Sequence, residues 1–134
     1  MRREFDLSVD DVSFLDREVV SWEAIRFENM MWVLIYEHHV PDGYVQGNVT
    51  VAVCISEQYP EAQLDMVYFH PSLTRKDGKP IPQTEHQQSI DGKQYQRWSR
   101  HYTAQNPWKP GEHSLETHFY LMATWLEREF TKRP

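Results

Sequence analysis

The sequence is poor in cysteine and in long hydrophobic runs. It contains one cysteine, Cys54, in 134 residues, so no disulfide can form within the chain. The longest apolar run is MMWVLI at residues 30–35, far shorter than the ~20 residues that a membrane-spanning helix needs. The N-terminal segment MRREFDLSVDD lacks the apolar stretch of a secretory signal. We therefore expect a soluble, cytoplasmic protein.

Positive charge is also scarce. Lysine and arginine number 14 against 20 aspartates and glutamates, which gives a net charge of -6. Phosphate binding needs clustered cations, and the only local basic excess is Arg97 with Arg100. The charge balance therefore argues against a nucleic-acid partner. An apolar content of 40% is ordinary for a globular protein, and we expect one domain over residues 1–134.

Hydrophobic periodicity predicts a short helix followed by a run of strands. The helix is predicted over Ser8–Glu18, because serine is a good N-cap residue and acidic residues follow it. Val45, Val49, Val51, Val53 and Ile55 alternate with other residues, which is the clearest strand signal in the chain. The predicted strands span residues 24–27, 30–36, 45–55 and 64–69.

A polar segment and a second helix complete the chain. Asp77-Gly78 and Asp91-Gly92 are strong turn signals, so residues 74–96 are predicted to form a loop that contains a small hairpin. Residues 112–130 are predicted to form a helix. Its apolar residues recur at helical spacing: Leu115, Phe119, Met122, Leu126 and Phe130. Strands followed by a helix predict an α+β fold, with an antiparallel meander packed against a C-terminal amphipathic helix.

The segment from Gln94 to Thr117 combines aromatic, basic and turn-forming residues more densely than any other. It holds the tryptophans Trp98 and Trp108 and a Trp-Lys-Pro-Gly turn just before the last helix. We expect the functional surface to lie here.

Three short motifs, in this order, resemble the ubiquitin-conjugating enzyme superfamily. They are Tyr59-Pro60, His70-Pro71-Ser72 and Trp108-Lys109-Pro110, where that superfamily carries Tyr-Pro, His-Pro-Asn and Trp-Ser-Pro. The finer pattern is similar to its bacterial branch, prokaryotic family E, over nearly the whole chain. The resemblance implies a bacterial ubiquitin-like modification pathway. It also implies a ubiquitin-like modifier and an adenylating activating enzyme as partners.

The chain departs from that superfamily at the residue that carries its chemistry. Conjugating enzymes accept the modifier as a thioester on a cysteine that follows His-Pro-Asn, whereas Cys54 precedes His70 and is predicted to be a small buried hydrophobe. The family's usual spacing, counted back from Trp108, leads to Arg100, between Ser99 and His101. The asparagine that helps to stabilise the oxyanion is replaced by Ser72. Ordinary thioester transfer is therefore not expected.

Three readings of the function remain open. The domain binds the modifier or its activating enzyme without catalysis, or it transfers the modifier through an oxyester on Ser99, or it binds a small ligand or metal and has no role in conjugation. A serine nucleophile needs a base, for which His101 and His70 are the candidates. Ser99 and His101 would point to the same side if the segment is extended. If they are not catalytic, Ser99 ties down backbone and His101 orients the loop through hydrogen bonds.

Four further residues are candidates for partner binding. Arg97 and Arg100 are suited to bind a carboxylate of the modifier in bidentate fashion, or else they form ion pairs with acidic residues of the chain. Trp98 and Trp108 are ligand platforms or, as the more ordinary alternative, packing residues.

A metal or cofactor is not predicted. His38 and His39 are adjacent on a strand and point to opposite faces. His113 and His118 are five residues apart, which differs from the spacing that brings two histidines together on a helix. No CxxC or HExxH pattern occurs.

Overall fold

Six antiparallel strands and two helices form the fold. The computed structural model describes all residues, 1–134. In chain order the elements are α1 (Val9–Glu18), β1 (Ser21–Phe27), β2 (Met30–His39), β3 (Asn48–Ile55), β4 (Val67–His70), β5 (Gln87–Ile90), β6 (Lys93–Trp98) and α2 (Leu115–Lys132). The sheet order is β1-β2-β3-β4-β6-β5. The predicted α+β fold, a meander followed by a C-terminal helix, is confirmed.

Capping residues set the start of each helix. Ser8 caps α1, because its hydroxyl oxygen accepts a hydrogen bond from the N–H of Asp11 at 3.1 Å. The second helix begins at Leu115 rather than at Glu112. Just before it, the N–H of Ser114 donates to the hydroxyl of Thr117 at 2.9 Å.

Two predicted strands are shorter in the structure. The third begins at Asn48, so Val45 lies outside it and is 60% exposed. The N–H of Val45 instead donates to the carbonyl of Thr74 at 2.8 Å, which holds it in a loop. The fourth strand begins at Val67 rather than at Leu64, because Met66 has a φ of 57° and cannot continue an extended ladder.

The polar segment 74–96 contains the predicted hairpin. Strands β5 and β6 meet at the Asp91-Gly92 turn, with Ile90 paired to Lys93. The other turn signal, Asp77-Gly78, forms a turn without strands on either side. Strand β6 pairs with β4, so β5 becomes the edge of the sheet.

Tyr59, the first residue of the Tyr-Pro motif, links the two helices. Its hydroxyl donates to the carboxylate of the buried Asp11 in α1 at 2.7 Å and accepts from the N–H of Leu115 in α2 at 2.8 Å. Burial raises the pKa of Asp11, and the hydroxyl of Tyr59 opposes that shift. One side chain from the loop after β3 thereby fixes the start of α2 against the start of α1.

Each face of the sheet carries its own hydrophobic cluster. The larger cluster packs against α1 and α2 and includes Phe14, Val51 and Leu126. The smaller cluster lies on the opposite face, and its members are Ile25, Trp32, Leu34, Ala52, Tyr68, Ile90 and Tyr95. All seven are buried although neither helix packs on them.

Arg2 bridges the two edges of the sheet and explains how the smaller cluster is covered. One guanidinium nitrogen lies 2.9 Å from the carboxylate of Glu23 on β1 and 2.7 Å from that of Asp91 beside β5. The hydroxyl of Tyr36 donates to Glu23 at 2.6 Å. Since β1 and β5 are opposite edges of the sheet, the sheet must curl around its second cluster.

We expect Arg2→Ala to lower the free energy of unfolding by about 1–2 kcal/mol. The substitution leaves the carboxylates of Glu23 and Asp91 without their cation, and the effect is modest because the Arg2 side chain is itself partly exposed. Arg26→Ala, a change to an exposed arginine of β1 that takes part in no ion pair, is the matched control. Chemical denaturation measures both, and equal effects in the two variants would contradict this role of Arg2.

The same contact predicts a pH dependence. Hydrogen bonds from Arg2 lower the pKa of Glu23 from 4.5 to about 2 and also lower that of Asp91. The stabilisation is therefore complete above the ordinary carboxylate pKa and is lost as the pH falls from about 4.5 to about 2. Chemical denaturation at pH 5 and at pH 2 should show that the free energy of unfolding falls less between these two pH values in Arg2→Ala than in the unaltered protein.

Candidate functional site

The pairing of β4 with β6 positions the candidate site. Val67 at the start of β4 lies opposite Trp98 at the end of β6. The chain that enters β4 therefore runs beside the chain that leaves β6. The N–H of Met66 donates to the carbonyl of Arg100 at 3.2 Å and holds the two segments together past the last ladder pair.

Three side chains meet at this junction, and we refer to Asp65, Ser99 and His101 as the Ser99 cluster. The Ser99 hydroxyl oxygen lies 3.3 Å from Nε2 of His101, and Nδ1 of His101 lies 2.8 Å from Oδ1 of Asp65. A carboxylate only accepts hydrogen bonds, so it favours the tautomer with the proton on Nδ1. Nε2 then presents its lone pair to the serine hydroxyl. This order of groups, serine to imidazole to carboxylate, is that of serine hydrolases.

The Ser99 cluster is open to solvent. The side chain of His101 is 54% exposed and that of Asp65 is 36% exposed. Ser99 is half-buried, and its hydroxyl lies 3.7 Å from the sulfur of Met66. Ser99 and His101 come together, but not through an extended segment, because the N–H of Arg100 donates to the carbonyl of Trp98 at 3.0 Å and forms a turn centred on Ser99. The imidazole and the carboxylate are in contact with solvent.

A buried histidine of α2 holds the chain behind the Ser99 cluster. Nε2 of His118 lies 2.8 Å from the carbonyl of Met66, and Nδ1 lies 2.8 Å from the hydroxyl of Tyr102. Burial lowers the pKa of His118 and raises that of Tyr102 to about 12. The imidazole is therefore neutral, with its proton on Nε2, and the Tyr102 hydroxyl donates to Nδ1. The residues after Asp65 and after His101 are thus tied to the same side chain.

His70 does not lie with the Ser99 cluster. It ends β4, whereas Met66 beside Ser99 precedes the strand, and four residues of extended chain span about 13 Å. Its Nδ1 lies 2.9 Å from the carbonyl of Gln94, and its ring lies 5.4 Å from that of Tyr95. His70 thus secures the His-Pro turn against β6, and the structure does not place it to serve as a base for Ser99.

Neither Arg97 nor Arg100 forms an ion pair with an acidic residue of the chain, which is the predicted alternative to partner binding. Nε of Arg97 is buried without a hydrogen-bond partner. Arg100 donates to the carbonyl of Pro82 at 3.1 Å, and its guanidinium lies 4.9 Å from the centre of the Trp98 ring. Both side chains are half-buried, and neither has an acidic partner within the chain.

The two tryptophans are packing residues in the structure. Trp98 is fully buried in the larger cluster, and its indole N–H donates to the side chain of Gln96 at 2.9 Å, so it offers no surface to a ligand. Trp108 is half-buried. Its N–H donates to the carbonyl of Pro60 at 2.9 Å, and its ring lies 5.2 Å from that of Tyr102.

Trp108 still borders a groove next to the Ser99 cluster. This groove, which we call the Trp108 groove, has a volume of about 420 Å³. It is lined by Glu61, Gln63, Tyr102, Thr103, Ala104, Pro107, Trp108 and Pro110. No member of the Ser99 cluster lines this groove, but Tyr102, which does, directly follows His101. A larger cleft of about 610 Å³ lies between α1 and the segment before α2, and no member of the Ser99 cluster lines it.

Cys54 and His38 are half-buried side chains of the sheet. Cys54 is half-buried in β3, and burial raises the pKa of its thiol, which disfavours the nucleophilic thiolate. No three histidine, cysteine, aspartate or glutamate side chains lie close enough to hold a metal ion. The ring of His38 packs 5.4 Å from that of Phe119.

Sequence reasoning found two members of the Ser99 cluster and missed the third. Asp65 precedes a short strand and belongs to no local pattern with Ser99 or His101, since 36 residues separate it from His101. His118 likewise carries no local signal for its hydrogen bond to the carbonyl of Met66, because 52 residues separate the two.

Comparison with protein families identifies the family to which this chain belongs. Residues 7–129 match the model of prokaryotic E2 family E, a family of ubiquitin-conjugating-enzyme-like proteins. The chain belongs to this family. No curated protein and no solved structure gives a significant match.

Family membership has two consequences. It suggests a role in a bacterial ubiquitin-like pathway, and it implies contact with a ubiquitin-like modifier or an activating enzyme.

Neither helix is long and apolar enough to cross a membrane.

The neutral state of His118 predicts a loss of stability in mild acid. A folded pKa below the unfolded value means that the stabilisation is complete above about 6.5 and is lost as the pH falls below it. His118→Gln should reduce the slope of the melting temperature against pH between pH 7.5 and pH 5.5. Burial also lowers the pKa of His38, so part of the slope should remain. Thermal unfolding across this range tests the assignment, and an unchanged slope in the variant would contradict it.

Proposed function

We propose that the protein accepts a ubiquitin-like modifier as an oxyester on Ser99, with His101 as the general base, and passes it to an amine. The observation that carries this proposal is the 3.3 Å contact between the Ser99 hydroxyl oxygen and Nε2 of His101. It occurs beside Arg100, where the family's spacing places the acceptor residue. A serine hydroxyl is a poor nucleophile unless a base removes its proton, and this contact supplies the base.

The first transfer would begin from a modifier held as a thioester on its activating enzyme. The Ser99 oxygen attacks the thioester carbonyl while Nε2 of His101 takes the hydroxyl proton. The carbon–sulfur bond breaks, and the departing thiolate receives that proton. The products are an ester on Ser99 and a free thiol.

The second transfer would release the modifier to its acceptor. An amine attacks the ester carbonyl, and His101 removes a proton from the amine and returns one to the Ser99 oxygen as the ester bond breaks. The products are an amide and the original hydroxyl. An ester is less reactive toward amines than a thioester, so this step depends on the base more strongly than it does in a cysteine enzyme.

The two arginines and the Trp108 groove would contribute to recognition of the modifier. Arg97 and Arg100 have no carboxylate partner in a chain of net charge -6, which supports a separate contact of each with an acidic group of the modifier. The Trp108 groove, formed partly by Tyr102 next to His101, would bind an extended segment of the modifier.

Binding without catalysis is the second candidate function. The absence of a cysteine at the acceptor position favours it. In that case Arg97 and Arg100 would hold the modifier or its activating enzyme, and the Ser99 cluster would only brace the chain. No contact in the structure favours the small-ligand alternative.

Incubation with the cognate modifier, its activating enzyme and ATP tests the transfer. We expect an adduct that resists thiol reductants and is cleaved by mild base. Ser99→Ala should abolish it, and His101→Ala should slow its formation by roughly 10²–10⁴-fold. Ser99→Cys should convert it into an adduct that reductant cleaves, whereas Cys54→Ser should leave the oxyester unchanged.

Two outcomes would overturn the transfer proposal. One is tight binding of the modifier with no adduct, which would support the non-catalytic reading. The other is an adduct that survives in Ser99→Ala.

A further inference from the structure

Asp65 is the residue of the Ser99 cluster whose only hydrogen bond is with the imidazole. Its Oδ1 lies 2.8 Å from Nδ1 of His101, and it pairs with no lysine or arginine. A carboxylate on Nδ1 holds the ring in the tautomer that leaves Nε2 free to accept a proton, and it stabilises the imidazolium that then forms.

The position of Asp65 is set by the core rather than by a free loop. Leu64 before it is fully buried. Met66 after it is held on both sides, because its carbonyl accepts from His118 at 2.8 Å and its N–H donates to Arg100 at 3.2 Å. Such support keeps a catalytic contact in place without bound substrate.

We infer that Asp65, His101 and Ser99 act together as a serine-hydrolase triad, and that the protein hydrolyses activated acyl esters without any modifier or activating enzyme. This inference rests on the same Ser99 and His101 as the proposed transfer and adds a positioning residue, Asp65, and a second reaction. The exposure of His101 supports it, since water can approach the imidazole that would activate it.

The hydrolysis proceeds in two balanced steps. The Ser99 oxygen attacks the ester carbonyl, His101 takes the hydroxyl proton and passes it to the leaving alkoxide, and an alcohol departs. Water then attacks the acyl-serine while His101 accepts its proton. The bond from the carbonyl to the Ser99 oxygen breaks, that oxygen regains the proton, and a carboxylic acid leaves. In a conjugation pathway this reaction would return unused modifier with a free C-terminus.

Two probes test the triad on the full chain alone. A fluorophosphonate should label Ser99, as located by peptide mass spectrometry, and p-nitrophenyl acetate should be hydrolysed faster than by Ser99→Ala. Asp65→Asn should lower kcat roughly 10²–10⁴-fold with KM unchanged within about twofold, because the asparagine amide donates to Nδ1 and favours the wrong tautomer. Asp65→Glu should restore part of the rate.

Controls separate this positioning role from a structural one. Glu127→Gln removes an exposed carboxylate of α2 far along the helix from the site, and it should leave kcat unchanged. Asp65→Asn should keep the melting temperature of the unaltered protein within a few degrees. A rate that is equal in the unaltered protein and Ser99→Ala, or equal in the unaltered protein and Asp65→Asn, would overturn the triad.

The transfer and the hydrolysis can fail separately. Ester hydrolysis at Ser99 with no modifier adduct would leave the triad standing and remove the transfer. A stable modifier adduct on Ser99 with neither labelling nor ester hydrolysis would support the transfer and overturn the triad.

Discussion

The antiparallel pairing of β4 with β6 is the contact on which the rest of the site depends. With Val67 opposite Trp98, the chain entering one strand lies beside the chain leaving the other. Asp65 and His101, far apart in sequence, thereby come within hydrogen-bond distance. A slip of one residue would turn Ser99 to the other face of the sheet. The same pairing puts β5 at the edge, where Arg2 can join it to β1.

The proposed acceptor, Ser99, would require more of the fold than a cysteine acceptor does. A cysteine nucleophile needs only a shifted thiol pKa, whereas a serine needs an adjacent base in the correct tautomer. Cys54 has neither advantage, because burial in β3 raises the pKa of its thiol. Beside Ser99, the imidazole and carboxylate come from different segments, and the buried His118 holds the backbone between them. Contacts with buried residues therefore hold the segments that carry the Ser99 cluster.

Much of the fold could be predicted because its signals are local. The Ser8 cap, the alternation through Val49–Ile55 and the helical spacing from Leu115 each follow from a few neighbouring residues. The Asp91-Gly92 hairpin was also recognisable from its turn chemistry. Where the prediction extended a strand too far, at Val45 and Leu64, a loop hydrogen bond or a positive φ ended the ladder. Such interruptions depend on contacts with distant segments.

The sequence by itself determined the family and the order of elements, because these lie in motifs and periodic patterns along the chain. It also predicted Ser99 and His101 as candidates, through the family's spacing from Trp108. The tertiary structure alone decided that Asp65 faces His101, that His118 holds Met66, that His70 is remote from Ser99 and that Trp98 is buried. Each of these depends on strand order, register and curl, which arise from packing between segments that are far apart in the chain.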